Sequence, residues 1–261
     1  MIQTCRSKLA ATRVRAGLLL AVVFVVLAAA ANVARAQRMA VPAYFYPGLF
    51  WTQLDQAQPG VGLAVMNPGS GPGTAPDPNY LSAVQSAHAA GIRVVGYVYT
   101  SYGSRPLSSV EADINAYYSW YPSLDGIFLD EASTDCANEP YYAALNSYVK
   151  GKSGTSVTIL NPGTQTNQCY APAADILLTF EGSDSQYVNS YSAPSWVANY
   201  PASHFWHVIY GTSTTSAMSA AVRLSKARHA GYVYVTPATL PNPYDVLPTG
   251  RYWSNELAAI G

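Results

Sequence analysis

Two carboxylates stand side by side at the end of a short apolar run, Leu124-Asp125-Gly126-Ile127-Phe128-Leu129-Asp130-Glu131. An apolar run of strand length without polar alternation is typical of a strand that is buried on both faces. Asp130 and Glu131 are costly to bury at its C-terminal end unless they meet solvent or hydrogen-bonding partners. A third acid, Glu181, ends a similar run, Leu178-Thr179-Phe180-Glu181. Carboxylates that face each other across a solvated mouth can act as nucleophile and as general acid or base.

The elements that must position these acids follow a regular alternation. Eight short runs rich in β-branched, leucine or tyrosine residues predict strands over 41–46, 61–66, 93–99, 126–130, 157–160, 175–180, 207–210 and 232–236. Apolar residues at helical spacing predict helices over 79–90, 108–121, 139–149 and 217–229, with a weaker candidate over 194–200. The links 47–60 and 161–174 lack an obvious long helix and are predicted to be loops or irregular helices.

This alternation predicts an α/β protein with a single (β/α)8 TIM-type barrel, because strands joined by helical crossovers form parallel βαβ units. A doubly wound open sheet is the alternative. Such a sheet would normally carry a glycine-rich phosphate loop after its first strand, and Tyr46-Pro47-Gly48-Leu49-Phe50 is not one. We expect the barrel to occupy residues 37–261 as one catalytic domain.

Residues 1–36 have the pattern of a secretory signal peptide. Basic residues precede an apolar stretch over 16–31, and Ala34-Arg35-Ala36 is a small-x-small cleavage site that predicts a mature start at Gln37. An uncleaved membrane anchor is the alternative, but the stretch is short for a span of roughly 20 residues. We therefore expect a secreted extracellular or periplasmic protein with no stable membrane association.

The charge and cysteine content after residue 36 limit the classes of partner and ligand that we expect. Five of the 14 Lys and Arg residues lie in residues 1–36, so nine basic and 14 acidic residues follow, a formal net charge of about −5. This balance argues against nucleic acid, and we expect a monomer without cofactor. Cys136 and Cys169 are predicted to form a disulfide beside Asp130 rather than a metal site, because no further ligands lie at metal spacing.

The mouth of such a barrel predicts sugar chemistry. Polar residues at the C-terminal strand ends are the candidates for substrate binding, namely Tyr44, Tyr46, Asn67, Tyr97, Tyr99, Asn161 and Tyr210. Tyrosine rings stack on sugars, and glycoside hydrolysis needs two carboxyl groups that flank one bond. Glu181 is therefore expected to face Asp130 or Glu131 across the mouth. Side chains alternate along a regular strand, so we expect only one of those two adjacent acids to enter the mouth.

Structural roles are the alternatives for these residues. Acids at strand ends often cap the following helix or pair with a base. Asn67-Pro68-Gly69 and Asn161-Pro162-Gly163 each follow a strand, and their asparagines could serve only the turn. A non-catalytic carbohydrate-binding or matrix protein on a retained barrel would use the same tyrosines.

Several longer blocks carry a resemblance to a known family. They are VPAYFYP (41–47), VGLAVMNPGSGPG (61–73), YLSAVQSAHAAGIRVVGYVYTSYGSR (80–105), WYPSLDGIFLDEAS (120–133), TILNPGT (158–164), DILLTFE (175–181) and GYVYVTPATLPNPYDVLP (231–248). With these blocks the chain resembles the spherulin-4-like (spherulation-specific) secreted glycoside hydrolases over nearly all of residues 37–261.

The resemblance implies a (β/α)8 barrel that hydrolyses galactosaminogalactan, a microbial matrix exopolysaccharide of α-1,4-linked galactose and N-acetylgalactosamine, within the chain. The family's essential acids, an adjacent Asp-Glu after the fourth strand and a Glu after the sixth, fall on Asp130, Glu131 and Glu181. By that analogy Asp130 would be the nucleophile and Glu181 the acid/base. One departure lies in TPATLPNPY, where relatives often have an acid after the threonine, so a loop that contacts substrate would differ there.

Overall fold

The computed structural model describes residues 37–261, so the signal peptide predicted over residues 1–36 lies outside the described residues. Eight parallel strands form a closed barrel in which each strand pairs with its neighbour in chain order and β8 pairs with β1. The strands are β1 Arg38–Ala43, β2 Val61–Met66, β3 Arg93–Tyr99, β4 Gly126–Asp130, β5 Val157–Leu160, β6 Ile176–Ser183, β7 Phe205–Tyr210 and β8 Tyr232–Val235. The predicted TIM-type barrel is confirmed.

Helices cover the outside of the barrel. They are α1 Leu49–Asp55, α2 Pro78–Ala89, α3 Leu107–Trp120, α4 Glu139–Lys152, α5 Asp184–Asn189, α6 Thr215–Ala227 and α7 Gly250–Ile260. The two links predicted to be loops or irregular helices contain the short α1 and the 3-10 helix Gln168–Ala173. The weaker candidate over 194–200 is the 3-10 helix Ser195–Asn199. Each described helix falls short of the length or apolar character that spanning a bilayer requires.

The first strand begins and ends earlier than predicted. Arg38 and Met39 pair with Tyr232 and Val233 of β8 and close the barrel. After Ala43 the chain leaves the sheet, and the Tyr44 backbone N–H donates to the Tyr244 carbonyl oxygen (3.2 Å) instead of a strand partner. Tyr44 therefore lies in the loop after β1 rather than within the strand.

Aromatic side chains fill the barrel below its mouth. Phe128 of β4 stacks on Tyr97 of β3 with ring centroids 6.1 Å apart, and it meets Trp206 of β7 edge-on at 5.8 Å. Phe128 and Trp206 are almost completely buried. A Cβ at Gly96 would lie 2.7 Å from the Tyr117 ring, so this glycine lets α3 pack closely on the sheet. The interior is a packed core, as in other TIM barrels.

The predicted disulfide is present. Cys136 and Cys169 are bonded, with their Cα atoms 5.8 Å apart. The bond joins the loop after β4 to the loop after β5. It therefore braces the rim next to Asp130.

Candidate active site

β4 delivers Asp130 to the mouth. Side chains alternate along a strand, and Phe128, two residues earlier, faces the barrel interior. Asp130 occupies the same face one step nearer the C-terminal end. It lines a cavity of about 190 Å³ together with acids and aromatic residues from five other loops or strand ends. The lining residues are Tyr44, Tyr102, Asp130, Glu131, Asn161, Pro162, Gly163, Glu181 and Tyr244.

Glu131 lines the same cavity as Asp130, and the expectation that only one of the two enters the mouth is wrong. That expectation assumed a regular strand. Glu131 instead has a φ of 49°, in the left-handed region that non-glycine residues seldom occupy. This backbone turn breaks the alternation and brings adjacent side chains to one side. Such strain costs on the order of 1–3 kcal/mol and persists only where surrounding contacts impose it.

Hydrogen bonds from the loop after β3 impose this conformation. The backbone carbonyl of Glu131 accepts from the Thr100 hydroxyl (2.8 Å) and from the Tyr102 N–H (2.6 Å). Thr100 is fully buried, and its hydroxyl also lies 2.9 Å from the Tyr142 hydroxyl, which accepts from the Ser133 N–H. The Glu131 carbonyl and the Ser133 N–H are thus both bound to the buried pair of hydroxyls of Thr100 and Tyr142.

A bulge in β6 precedes Glu181. The register between β6 and β7 pairs Leu178 with Trp206 but Phe180 with His207, so Thr179 has no partner. Thr179 and Phe180 both contact His207, the former through a 3.0 Å hydrogen bond to Nε2. Two successive side chains therefore face the helix layer, and Glu181 follows on the mouth side. Bulges of this kind re-aim side chains near active sites.

Asn161 holds the two strand-end acids together. Its Nδ2 donates to Oδ1 of Asp130 (2.8 Å) and to Oε2 of Glu181 (2.6 Å). Its Oδ1 accepts from the Gly163 N–H (2.9 Å), which fixes the orientation of the amide. The two carboxylate oxygens can be no farther apart than the sum of those two distances, 5.4 Å. Carboxyl groups in retaining glycosidases lie about 5–5.5 Å apart, and those in inverting ones about 6.5–9.5 Å apart.

Tyrosines supply the other partners of the acids. The Tyr244 hydroxyl donates to Oε1 of Glu181 (2.6 Å). The rings of Tyr97 and Tyr244 each meet the Tyr44 ring edge-on, at 5.5 and 5.7 Å. Burial, followed by the charge of Asp130, raises the pKa of Tyr44 and of Tyr97; burial, followed by the charge of Glu181, raises that of Tyr244. The three hydroxyls therefore stay protonated and can donate hydrogen bonds.

Burial raises the pKa of Asp130 to about 6. Hydrogen bonds from Tyr97 and Asn161 lower the pKa and the charge of Glu181 raises it, but the loss of solvation has the largest effect. Ion pairs within residues 37–261 join His88 to Asp125, Arg105 to Asp113 and Lys150 to Asp175, and none of them includes a mouth acid. Both strand-end acids are therefore held by neutral donors. Carboxyls with a pKa raised by burial are common in active-site clefts.

The structure brings together some of the predicted site residues and leaves others apart. Tyr44, Asp130, Glu131, Asn161 and Glu181 line the cavity, and the Tyr97 ring packs edge-on against the Tyr44 ring.

Besides Tyr97, four further predicted binding residues do not line this cavity. Tyr46 lies in a neighbouring groove. Asn67 accepts from the Gly71 N–H (3.0 Å), so it stabilises its own turn. Tyr99 packs under the Arg105 guanidinium, 4.1 Å from the ring centroid. Tyr210 approaches Tyr244 without reaching the cavity wall.

Two tyrosines of the cavity were missed in the sequence. Tyr102 follows β3 by three residues and Tyr244 follows β8 by nine, so neither stands at a strand end. The block NPYDVLP contains Tyr244 and was the available signal. Within residues 37–261, no three His, Cys, Asp or Glu side chains are grouped so as to hold a metal ion.

The fold and the paired strand-end acids define a TIM-barrel protein with a two-carboxylate mouth. Residues 38–260 match spherulation-specific family 4, and the chain belongs to this family. It is 39% identical to Spherulin-4 of Physarum polycephalum over 235 residues, which are 85% of this chain and 70% of that protein.

Solved structures agree with this assignment. Aspergillus clavatus Sph3, crystallised in complex with GalNAc, superposes with a TM-score of 0.74 at 27% identity, over 86% of this chain and 97% of Sph3. The GH2 beta-galacturonidase from Eisenbergiella tayi, bound to galacturonate, gives a TM-score of 0.54 at 11% identity, over 81% of this chain and 46% of that one. The second likeness concerns the fold alone.

Proposed function

We propose that this protein is a secreted glycoside hydrolase that cleaves α-1,4 linkages within exopolysaccharide containing N-acetylgalactosamine. The observation that carries the proposal is the pair Asp130 and Glu181, held within 5.4 Å by one amide. Membership of spherulation-specific family 4 and the likeness to Sph3, which was crystallised with GalNAc, support the sugar class. Secretion would follow cleavage near Ala36-Gln37.

The geometry favours double displacement with retention. In the first step Asp130 attacks the anomeric carbon while protonated Glu181 gives its proton to the leaving oxygen, so the glycosidic bond breaks and a glycosyl–Asp130 ester forms. In the second step Glu181 takes a proton from water, whose oxygen displaces Asp130. Tyr244 and Asn161 orient Glu181 in both steps. Glu131 faces the same cavity, and we assign it to binding substrate hydroxyls.

This role for Asp130 requires its ionised form. Because the pKa of Asp130 is raised to about 6, activity should fall as the pH drops below that value. The measurement is kcat/KM against pH. An acid limb that is unchanged in Glu181→Asp, and that lies near 6, would support Asp130 as its source.

The test of the function uses defined α-1,4-linked N-acetylgalactosamine oligosaccharides. The wild type should release new reducing ends, and proton NMR should show the α anomer first. A β anomer formed first would contradict the double displacement but leave hydrolysis intact. Saturable binding without any product after long incubation would instead favour a carbohydrate-binding or matrix protein.

A further inference from the structure

A second cavity lies on the same end of the barrel as the acid cavity. It has a volume of about 670 Å³ and is formed by the loop after β1, the loop after β2 and the beginning of α2. The acid cavity, at about 190 Å³, is below the range of about 300–1,000 Å³ that holds larger ligands, whereas the second cavity is within it. A polymer cleaved at the acids must therefore place its neighbouring residues elsewhere.

One side chain in this groove has the properties of a sugar platform. The Tyr46 side chain is 58% exposed. Its hydroxyl donates to Oδ2 of Asp77 (2.8 Å) and accepts from Nδ2 of Asn79 (2.7 Å). Its ring meets Tyr80 edge-on at 5.5 Å. An exposed aromatic ring that is already fixed loses little entropy when a ligand stacks on it.

The remaining lining suits an uncharged or cationic saccharide. It consists mainly of proline, glycine, alanine and threonine residues from the loop after β2. Among the described residues that line the groove, Asp77 is the one with a charge, and no Lys or Arg is present. A polysaccharide of uronic acids or sulfate esters would find no cation there. N-acetylated and free amino sugars would both be tolerated.

The loop after β1 contributes one residue to the acid cavity and one to the groove. Tyr44 lines the acid cavity and Tyr46 lines the groove, and two residues of extended chain span at most about 7 Å. A saccharide chain that leaves the acid cavity past Tyr44 would therefore meet the Tyr46 ring with one of its next residues.

We propose that the groove built on Tyr46 is a distal saccharide subsite that binds uncharged or cationic hexosamine residues beyond those at the cleavage point. The proposal rests on the proposed function for the direction of the chain, but not for the binding itself. It assigns to Tyr46 a contact with substrate away from the reacting bond. It also predicts that long substrates gain more from this residue than short ones.

The experiment compares Tyr46→Ala with Tyr46→Phe and with Leu49→Ala. Leu49 is exposed on the adjacent α1 and does not line the groove, so its variant controls for changes in this region. We expect Tyr46→Ala to lower kcat/KM about 10-fold on long oligosaccharides and by less than about two-fold on the shortest cleavable one. Tyr46→Phe should retain most of the activity because it keeps the ring.

A second arm measures binding without hydrolysis. Affinity for a long N-acetylgalactosamine oligosaccharide is determined by calorimetry in the Asp130→Asn protein, with and without Tyr46→Ala. A roughly 10-fold weaker Kd with Tyr46→Ala supports the subsite even if the wild type cleaves nothing, so the two proposals fail separately. Equal Kd values, or an equal loss of kcat/KM on short and long substrates, would overturn the subsite.

Discussion

At the N-terminal end of the barrel two aspartates stand just before β4 and β6, and at the C-terminal end two acids lie within the last three residues of the same strands. At the base, Oδ2 of Asp125 accepts from the Val94 N–H (2.7 Å) and lies 2.6 Å from Nε2 of His88. Oδ2 of Asp175 accepts from the Thr158 N–H (2.7 Å) and pairs with Lys150. Each of these two aspartates at the N-terminal end thus binds both a basic side chain and the backbone of a neighbouring strand.

The mouth acids have partners of another kind. Asp130 and Glu181 share one Asn161 amide, and the Tyr244 hydroxyl donates a further hydrogen bond to Glu181. Neutral donors orient a carboxylate without neutralising it, so the group keeps its capacity to exchange a proton or attack a carbon. The acids at the base tie strands together, and those at the mouth are left available for chemistry. All four residues carry a carboxylate, so the difference lies in the partners of that group.

The largest effect should separate Glu181 from Asp175. In the proposed mechanism Glu181 protonates the leaving oxygen, so we expect Glu181→Gln to lower kcat about 10²–10⁴-fold. Asp175→Ala should keep wild-type kcat per folded molecule. Reducing-end release, corrected for the folded fraction by circular dichroism, measures both. Equal losses in the two variants would erase the distinction between base and mouth.

A second prediction concerns the free energy of unfolding, which the buried, ionised Asp130 side chain lowers. Its pKa is about 6 in the folded protein and about 3.9 in an unfolded chain. The folded state therefore binds the Asp130 proton more tightly than the unfolded chain does. The contribution of this proton to the free energy of unfolding is complete below about pH 4 and is lost as the pH rises through about 6. Asp130→Asn should thus be more stable than the wild type at pH 8, by about 2–3 kcal/mol. Denaturant unfolding at pH 4, 6 and 8 gives the difference, and a variant less stable than the wild type at pH 8 would contradict it.

The two Asn-Pro-Gly segments provide a matched pair for a third prediction. Asn161→Ala removes the donor shared by Asp130 and Glu181, and we expect kcat/KM to fall about 10–100-fold, as for loss of a positioning hydrogen bond. Asn67→Ala removes only a turn contact to Gly71 and should stay within about three-fold of the wild type. Asn161→Ala should also move the acid limb of the pH profile upward, since its hydrogen bond lowers the pKa of Asp130. A merely structural role for Asn161 would leave that limb in place.

The smallest effect should come from a substitution at the N-terminal end of the barrel. Asp125→Ala leaves the Val94 N–H without its side-chain acceptor and breaks the contact to His88. We expect a loss of about 1–3 kcal/mol in the free energy of unfolding. Urea unfolding at pH 7 measures it. An unchanged midpoint would mean that the base acids are not structural.

The same contrast explains what could be predicted from the sequence. Apolar runs of strand length and helical spacing between them led to the barrel, and the strand ends led to Asp130, Asn161 and Glu181. These are short-range patterns that the barrel geometry turns into positions. The disulfide between Cys136 and Cys169 was predictable for the same reason, because the loops after β4 and β5 must be adjacent.

What escaped prediction depends on backbone conformation and on long loops. The left-handed turn at Glu131 arises from hydrogen bonds with Thr100 and Tyr102, and no local pattern encodes it. Tyr244 reaches Glu181 from a distance of 63 residues in the sequence. The early start of β1 follows from pairing with β8, at the opposite end of the chain. In each case the deciding contact is distant in sequence.

The most direct measurement compares Asp130→Asn with Asp125→Ala, two aspartates five residues apart at opposite ends of β4. Reducing-end release from an N-acetylgalactosamine oligosaccharide is measured per folded molecule alongside the Tm of each variant. We predict that Asp130→Asn loses activity at least about 10²-fold with an equal or higher Tm at pH 8, whereas Asp125→Ala keeps its activity with a lower Tm. Near-wild-type turnover in Asp130→Asn would contradict a two-carboxylate active site at this mouth.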